Sequence, residues 1–219
     1  MNLEKIFITN ETNQGKANTN HPYYIVIHDT GNKSPTAGAY NHYLYIQNHD
    51  NTNRSAHIYV DSQRAIQTMP FSTPAWHTGK WYVDQPEVAA CTNYNSVAIE
   101  FCVNQDGNLE QTIVNTIYIT QQVMKQLNIP FARIITHQQS SGKDCPMTFI
   151  KSPKLKELFF SSLYKQTLVN DLVLQKALEQ LEAHKVINSK DYWYAKAQDV
   201  KYLRGLIVNM ATALKGAKK

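Results

Sequence analysis

No stretch of this 219-residue chain stays apolar for anything like the roughly 20 residues that cross a bilayer. A membrane-spanning protein is therefore not expected. Cysteine is scarce too, with only Cys91, Cys102 and Cys145. An odd and small number argues against a disulfide framework, so Cys91 and Cys102 are expected as reduced, partly buried thiols. The opening residues, Met1-Asn2-Leu3-Glu4-Lys5-Ile6-Phe7, carry an early acid and no long apolar core, so no secretory leader is expected there. No domain-sized repeat and no low-complexity segment is visible. What remains is the composition of a globular protein, 42% hydrophobic and 18% charged. The length suits one substantial domain and a small one.

Charge is divided unevenly. Residues 1–150 hold nine Lys/Arg against eleven Asp/Glu, a balance of −2, whereas residues 151–219 hold thirteen against six, a balance of +7. A basic tail on a near-neutral body suits an anionic partner, or simply solvated faces on lysine-rich helices. Nucleic acid is not the expected partner. The tail has no zinc-finger pattern, and Arg204 is its only arginine.

Hydrophobic patterning gives the architecture. Residues 1–22 are polar, rich in Asn and Thr, and read as an extended lead-in. Tyr23 to His28 is short and β-branched, which predicts a buried strand. Ala37 to Gln47 predicts a helix. Ser55 to Val60 and Arg64 to Met69 predict strands joined by a turn at Asp61-Ser62-Gln63. Ser96 to Val103 predicts another strand, with Val97, Ile99 and Phe101 alternating against Ala98, Glu100 and Cys102. After a turn at Asp106-Gly107, the residues Ile113, Ile117, Thr120, Met124 and Leu127 share one helical face. Arg133 to Thr136 predicts a strand that ends on His137. Ser152-Pro153 predicts a helix start, and that helix is expected to end about Tyr164. Beyond it Leu168, Leu172, Leu174, Leu178 and Leu181 mark one helix. Ser189 is expected to cap a second, along which Trp193, Ala197, Val200, Leu203, Ile207, Met210 and Leu214 recur. The expected fold is α/β, a central mixed β-sheet flanked by helices, plus a small all-α C-terminal module. The expected domains are 1–164 and 165–219.

Chemistry concentrates in a few strings. His28 ends the apolar run Tyr24-Ile25-Val26-Ile27-His28-Asp29-Thr30, His137 ends Ile134-Ile135-Thr136-His137, and Cys145 follows eight residues later in Gly142-Lys143-Asp144-Cys145-Pro146. Two imidazoles and a thiolate suit zinc, and three protein ligands leave a fourth position open, as catalytic sites do. Ser55-Ala56-His57 holds a further strand histidine. Ala75-Trp76-His77-Thr78-Gly79 is a loop with an indole and an imidazole. Asn95-Ser96-Val97-Ala98-Ile99-Glu100 places a lone carboxylate in an apolar strand, where partial desolvation raises a carboxyl pKa towards neutral. His21, His42, His49 and His184 have no motif around them and are expected on the surface.

Taken together and in this order, over about residues 21–150, these strings resemble the zinc-dependent N-acetylmuramoyl-L-alanine amidases of the amidase-2 type. That family includes phage endolysins and bacterial autolysins and is related to the peptidoglycan recognition proteins. The resemblance implies Zn2+ held by His28, His137 and Cys145. It implies Glu100 as general base on the metal-bound water and Lys143 as a stabiliser of the oxyanion. His77, Trp76, Thr30 and His57 are expected on the substrate side. His57 stays outside the ligand set, since a fourth protein ligand would close the site; a purely structural role is its other reading. Met147 follows Cys145-Pro146 where the family often has glycine, and Ala56 stands where related phage enzymes often carry tyrosine. Glu100 would then take over activation of the water.

The implied reaction is hydrolysis of the amide between N-acetylmuramic acid and L-alanine in peptidoglycan, as by a phage endolysin released through a holin pore. The alternative is a non-catalytic peptidoglycan-binding module of the same fold. Such modules typically lack the cysteine, and Cys145 is present. The strings around Tyr192-Trp193 and Leu206-Ile207-Val208 resemble, more weakly, C-terminal modules of clostridial phage endolysins. The module at 165–219 is expected to bind teichoic acid or another anionic wall polymer, or to form a homodimer through its helices.

Overall fold

The computed structural model describes residues 1–199 and 203–216, without the side chains of 166–171, 195, 198, 199, 215 and 216. Leu168 and Val200, expected on helical faces, thus lie outside the described side chains. The chain divides into two compact units, Met1–Phe160 and Ser161–Lys219.

In the first unit the elements run β1 (Leu3–Lys5), β2 (Tyr24–Asp29), α1 (Ala39–Asn48), β3 (Ile58–Val60), β4 (Ala65–Gln67) and β5 (Ser96–Phe101). Then come α2 (Leu109–Leu127), β6 (Ile134–Thr136), α3 (His137–Ser141), α4 (Met147–Lys151) and the start of α5 (Pro153–Ala183). The strands form one mixed sheet in the order β1-β4-β3-β5-β2-β6. β3, β5, β2 and β6 are mutually parallel, and β4 runs antiparallel to β3. The parallel centre explains why β2 and β5 read as nearly continuous apolar runs: such strands are covered on both faces.

Register decides what shares a face. His28 lies beside Glu100, and Glu100 beside Tyr59. Ala39 and Ile46 of α1 pack on this face against Tyr59, Ile66 and Ala98, with Ala56 buried in the same cluster. The alternate residues point the other way. There Phe101 meets Phe149 of α4 at 5.3 Å between ring centroids, and Phe149 meets Phe159 of α5 at 5.2 Å. His28 and Glu100 therefore share the α1 face, and the opposite face is closed by an aromatic stack.

The lead-in is more structured than its composition suggests. It supplies β1, and its Asn13 is fully buried, donating to the carbonyls of Ile46 and His49 and accepting from Thr52. His42 is half-buried and stacks on Tyr59 at 5.3 Å, so it is not the surface residue expected. Cys91 and Cys102 are buried and free.

In the second unit, the helix expected to stop about Tyr164 continues as α5 to Ala183, because nothing between 164 and 183 breaks it. α6 (Lys190–Asp199) and α7 (Leu203–Gly216) follow; the helix expected from Ser189 onwards spans residues 200–202, which lie outside the described residues. Leu174, Ala177, Leu178 and Leu181 of α5 pack with Ala197 of α6 and with Ile207 and Ala211 of α7. Leu172 stays exposed. Among the described residues no helix is long and apolar enough to cross a membrane.

Candidate active site

Three neighbouring strands deliver the site. β2 ends on His28-Asp29, β5 carries Glu100 beside it, and β6 runs directly into His137. His137 does not end the strand, as its apolar run suggested. It opens α3, with Thr136 as N-cap and Gln139 completing a capping box. Gly142 then takes a left-handed conformation (φ 78°) and turns the chain towards Cys145. The amide of Gln138 donates to the carbonyl of Cys145, which holds the His137 and Cys145 ends of this short segment together.

Asp29 secures the far side of that segment. Its carboxylate accepts from the amide and hydroxyl of Thr148 in the first turn of α4, both at 2.7 Å. Sequence reasoning missed this residue; its place beside His28 was the available signal. The Cys145–Pro146 peptide is cis.

One donor atom each from His28, His137 and Cys145 lies within 4.8 Å of the others, and all three residues are buried. His28 Nδ1 is 3.7 Å from Cys145 Sγ and 3.9 Å from Glu100 Oε1. His137 Nδ1 is buried with no hydrogen-bond partner among the described residues, and so is Glu100 Oε2. A buried nitrogen with no partner is costly unless something else takes its lone pair. This donor set therefore fits a zinc ion.

Electrostatics agree. Burial holds His28 well below the usual imidazole range, helped by His137, and holds His137 at about 3. Both rings are neutral, the form in which imidazole coordinates a metal. Burial also pushes the Cys145 thiol up, so its deprotonation needs a cation. Glu100 is pushed up to about 8, by burial first and by Asp29 second, while Lys143 opposes the shift. With His28 neutral, the 3.9 Å contact to Glu100 is not an ion pair.

Lys143 is half-buried and its charge acts on His28, His137, Cys145 and Glu100 alike. Thr30 follows β2, and its buried hydroxyl bonds to nothing among the described residues. Trp76 is half-buried and edge-on to Tyr94 at 6.3 Å. Two expectations change. His57 is fully buried; Nδ1 accepts from the Ala98 amide at 3.0 Å and Nε2 lies 2.9 Å from the Thr73 carbonyl. It braces the sheet and presents no face to a substrate. His77 has both ring nitrogens taken by protein partners, His28 Nε2 at 3.1 Å and Ser96 Oγ at 3.0 Å. Its loop is anchored by Asn93, which accepts from the amides of His77 and Thr78.

Sheet and donor set together define an α/β protein with a His-His-Cys cluster that could hold a metal ion, beside a buried carboxyl. Residues 18–148 match the family model for N-acetylmuramoyl-L-alanine amidase, and the chain belongs to that family. It is 34% identical over 146 residues to the N-acetylmuramoyl-L-alanine amidase CwlH of Bacillus subtilis, an overlap of 66% of this chain and 55% of that protein. It is 31% identical to the B. subtilis amidase XlyA, over 67% of this chain and 46% of that one. The chain thus spans about half the length of these curated relatives. Among solved structures, the catalytic domain of XlyA superposes with a TM-score of 0.63 at 29% identity, covering 74% of this chain and 99% of that domain. PlyL superposes with a TM-score of 0.62 at 27% identity, covering 74% and 97%.

Proposed function

We propose that the first unit hydrolyses the amide between N-acetylmuramic acid and L-alanine in peptidoglycan, as a cell-wall-lytic enzyme of the endolysin type. The observation that carries this is the cluster of His28, His137 and Cys145 with the Glu100 carboxyl against His28. Family membership supplies the bond to be cut.

His28, His137 and Cys145 would hold zinc. When bound, zinc supplies a Lewis acid that polarises the scissile carbonyl and acidifies a coordinated water. Glu100, which burial holds at about 8, would be favoured in its ionised form by a cation bound at these residues. Glu100 takes a proton from the attacking water and returns it to the leaving L-alanine nitrogen, so the products are a lactyl carboxyl and a free amine. Lys143 brings positive charge to the carbonyl oxygen as it becomes an oxyanion. Thr30, whose hydroxyl bonds to nothing among the described residues, and the half-buried Trp76 are the proposed substrate contacts.

The second unit is proposed to hold the enzyme at the wall through anionic polymers such as teichoic acid, or by pairing with a second copy. Delivery to the wall is proposed through a holin-type pore. A non-catalytic wall-binding module of the same fold is the alternative, and the presence of both Cys145 and Glu100 weighs against it.

The test is digestion of purified sacculi, with chelator and with zinc restored. Free L-alanine amino termini should appear without new reducing sugar ends, vanish with chelator and return with zinc. Bound zinc with no amino termini from any peptidoglycan chemotype would leave the binding-module reading.

A further inference from the structure

His77 lies outside the ligand cluster, yet its ring touches His28 directly. The direction of each proton in the contacts around it can be assigned from the outside inwards. The backbone carbonyl of Thr92 can only accept. Ser96 Oγ is in hydrogen-bond contact with it, so the Ser96 hydroxyl proton points there. Ser96 Oγ then meets His77 Nε2, 3.0 Å away, with a lone pair, so His77 carries its proton on Nε2. A neutral imidazole has one proton, which leaves His77 Nδ1 bare. That bare nitrogen is 3.1 Å from His28 Nε2, so His28 must hold its proton on Nε2. His28 Nδ1 is then the nitrogen with the free lone pair, and it is the one facing Cys145 and Glu100.

We infer that the chain Thr92–Ser96–His77–His28 is a tautomer lock, in which a backbone carbonyl at one end fixes which nitrogen of His28 is free for the metal at the other. His77 is a positioning residue in this account, not a substrate contact. The inference rests on the zinc reading of His28.

The surroundings leave the lock no second setting. Ser96 is fully buried, and His28 is nearly so. Coordination of a metal through His28 Nδ1 needs that ring neutral, with its one proton on the Nε2 that faces His77. The Cys91 thiol also interacts with Ser96; burial pushes it up to about 12, so it stays neutral there and is a weaker acceptor for the serine proton than the Thr92 carbonyl. The His77 backbone is pinned by Asn93, and Thr78 next to it is 2.7 Å from Ser140 in α3, which donates to the His137 carbonyl. Carbonyl, carboxylate or water partners are usual behind a metal-bound histidine. Here a second histidine relays the acceptor from a strand end.

Two readouts test this without relying on activity. Zinc affinity is measured by competition against a chromogenic chelator at fixed pH, for wild type, His77→Phe, His77→Asn and Ser96→Ala. The His77→Phe change removes the acceptor and should weaken zinc about 10- to 100-fold. The His77→Asn change restores an acceptor near the Nδ1 position and should recover most of the loss. Ser96→Ala should weaken zinc several-fold through His77. Separately, long-range nitrogen–proton NMR of metal-free wild type reads the tautomers, and both His28 and His77 should carry their protons on Nε2. Zinc affinity of the His77→Phe protein within twofold of wild type would overturn the lock. So would a proton on His28 Nδ1 in wild type, a result that needs no variant to fold. Absence of zinc binding by wild type would instead sink the metal reading, and the tautomers would still decide the lock.

Discussion

The two units solve the problem of burial differently. In residues 1–160 the interior is full of polar side chains with assigned partners: Asn13, His57, Thr68, Thr116 and Thr136 are all buried and all hydrogen-bonded. In residues 161–219 the buried set of described residues is Leu, Ala and Ile. A buried polar network is costly to build and specifies one arrangement, whereas a leucine–alanine seam specifies shape with less geometric demand. The first unit therefore holds atoms still enough for chemistry. Of its buried side-chain atoms without a partner among the described residues, those of His137 and Glu100 sit at the candidate metal centre, while Asn20, His42 and Gln67 carry others elsewhere. The second unit shows no comparable cluster among its described residues.

The strongest way to sharpen this contrast is to remove function without removing structure. Glu100→Gln keeps size and shape and should lower amide hydrolysis by about 100- to 10,000-fold. Zinc content and melting temperature should stay near wild type. An active Gln variant would break the mechanism.

Leu178→Ala is the matching cut in the second unit. Leu178 is buried in the α5–α7 seam, and truncation should cost about 2–5 kcal/mol of local stability. Hydrogen exchange should rise in α5 beyond residue 161, while zinc affinity is unchanged. A loss of zinc from this variant would show the units are not separable.

The next effect is a pH limit confined to the first unit. His57 is held at about 4 by burial, against an ordinary value of 6.5. The unfolded chain therefore binds the proton more readily, and stability is full above about 6.5 and is lost as pH falls towards 4. That gap corresponds to about 3 kcal/mol for His57 alone. His28, His77 and His137 shift in the same direction, so their contributions add to the same acid limb. His184 in the second unit is exposed. Denaturant melts of metal-free protein from pH 8 to pH 4 should show near-UV signals of the first unit failing first. A flat profile would mean these imidazoles are not held neutral by the fold.

Much of this is legible in the chain. The Ile-Val-Ile run before His28 and the alternation around Glu100 mark strands because burial on both faces demands such residues. The eight-residue step from His137 to Cys145 is visible as spacing. Its cause is less plain, although Thr136-His137-Gln138-Gln139 fits the capping-box pattern that starts α3. The reach of α5 is easily misjudged, because the leucine spacing changes near Tyr164 while no glycine or proline there enforces an end. The role of His77 cannot be read from the sequence at all. Its partner His28 is 49 residues away, and only the fold shows that the loop returns to the end of β2. Local pattern reports which face a residue takes, and tertiary contact reports what it meets there.

The smallest expected effect concerns what the second unit binds. Residues 161–219 hold ten Lys/Arg against five Asp/Glu, a balance of +5. Attraction between that surface and a polyanionic wall should fade as the screening length falls from about 10 Å at 0.1 M salt to about 3 Å at 1 M. The full chain with Glu100→Gln allows binding to sacculi to be measured without digesting them. Reversing two exposed lysines of α5 and its end, Lys176→Glu and Lys185→Glu, should weaken binding only several-fold, since an exposed charge contributes about 0.2–1 kcal/mol. The same reversal should flatten the salt dependence, and stripping teichoic acid from the sacculi should mimic it. If binding ignores salt, teichoic acid and the reversals alike, charge is not what the second unit contributes. Sedimentation of the full chain would then show whether the second unit pairs two copies instead.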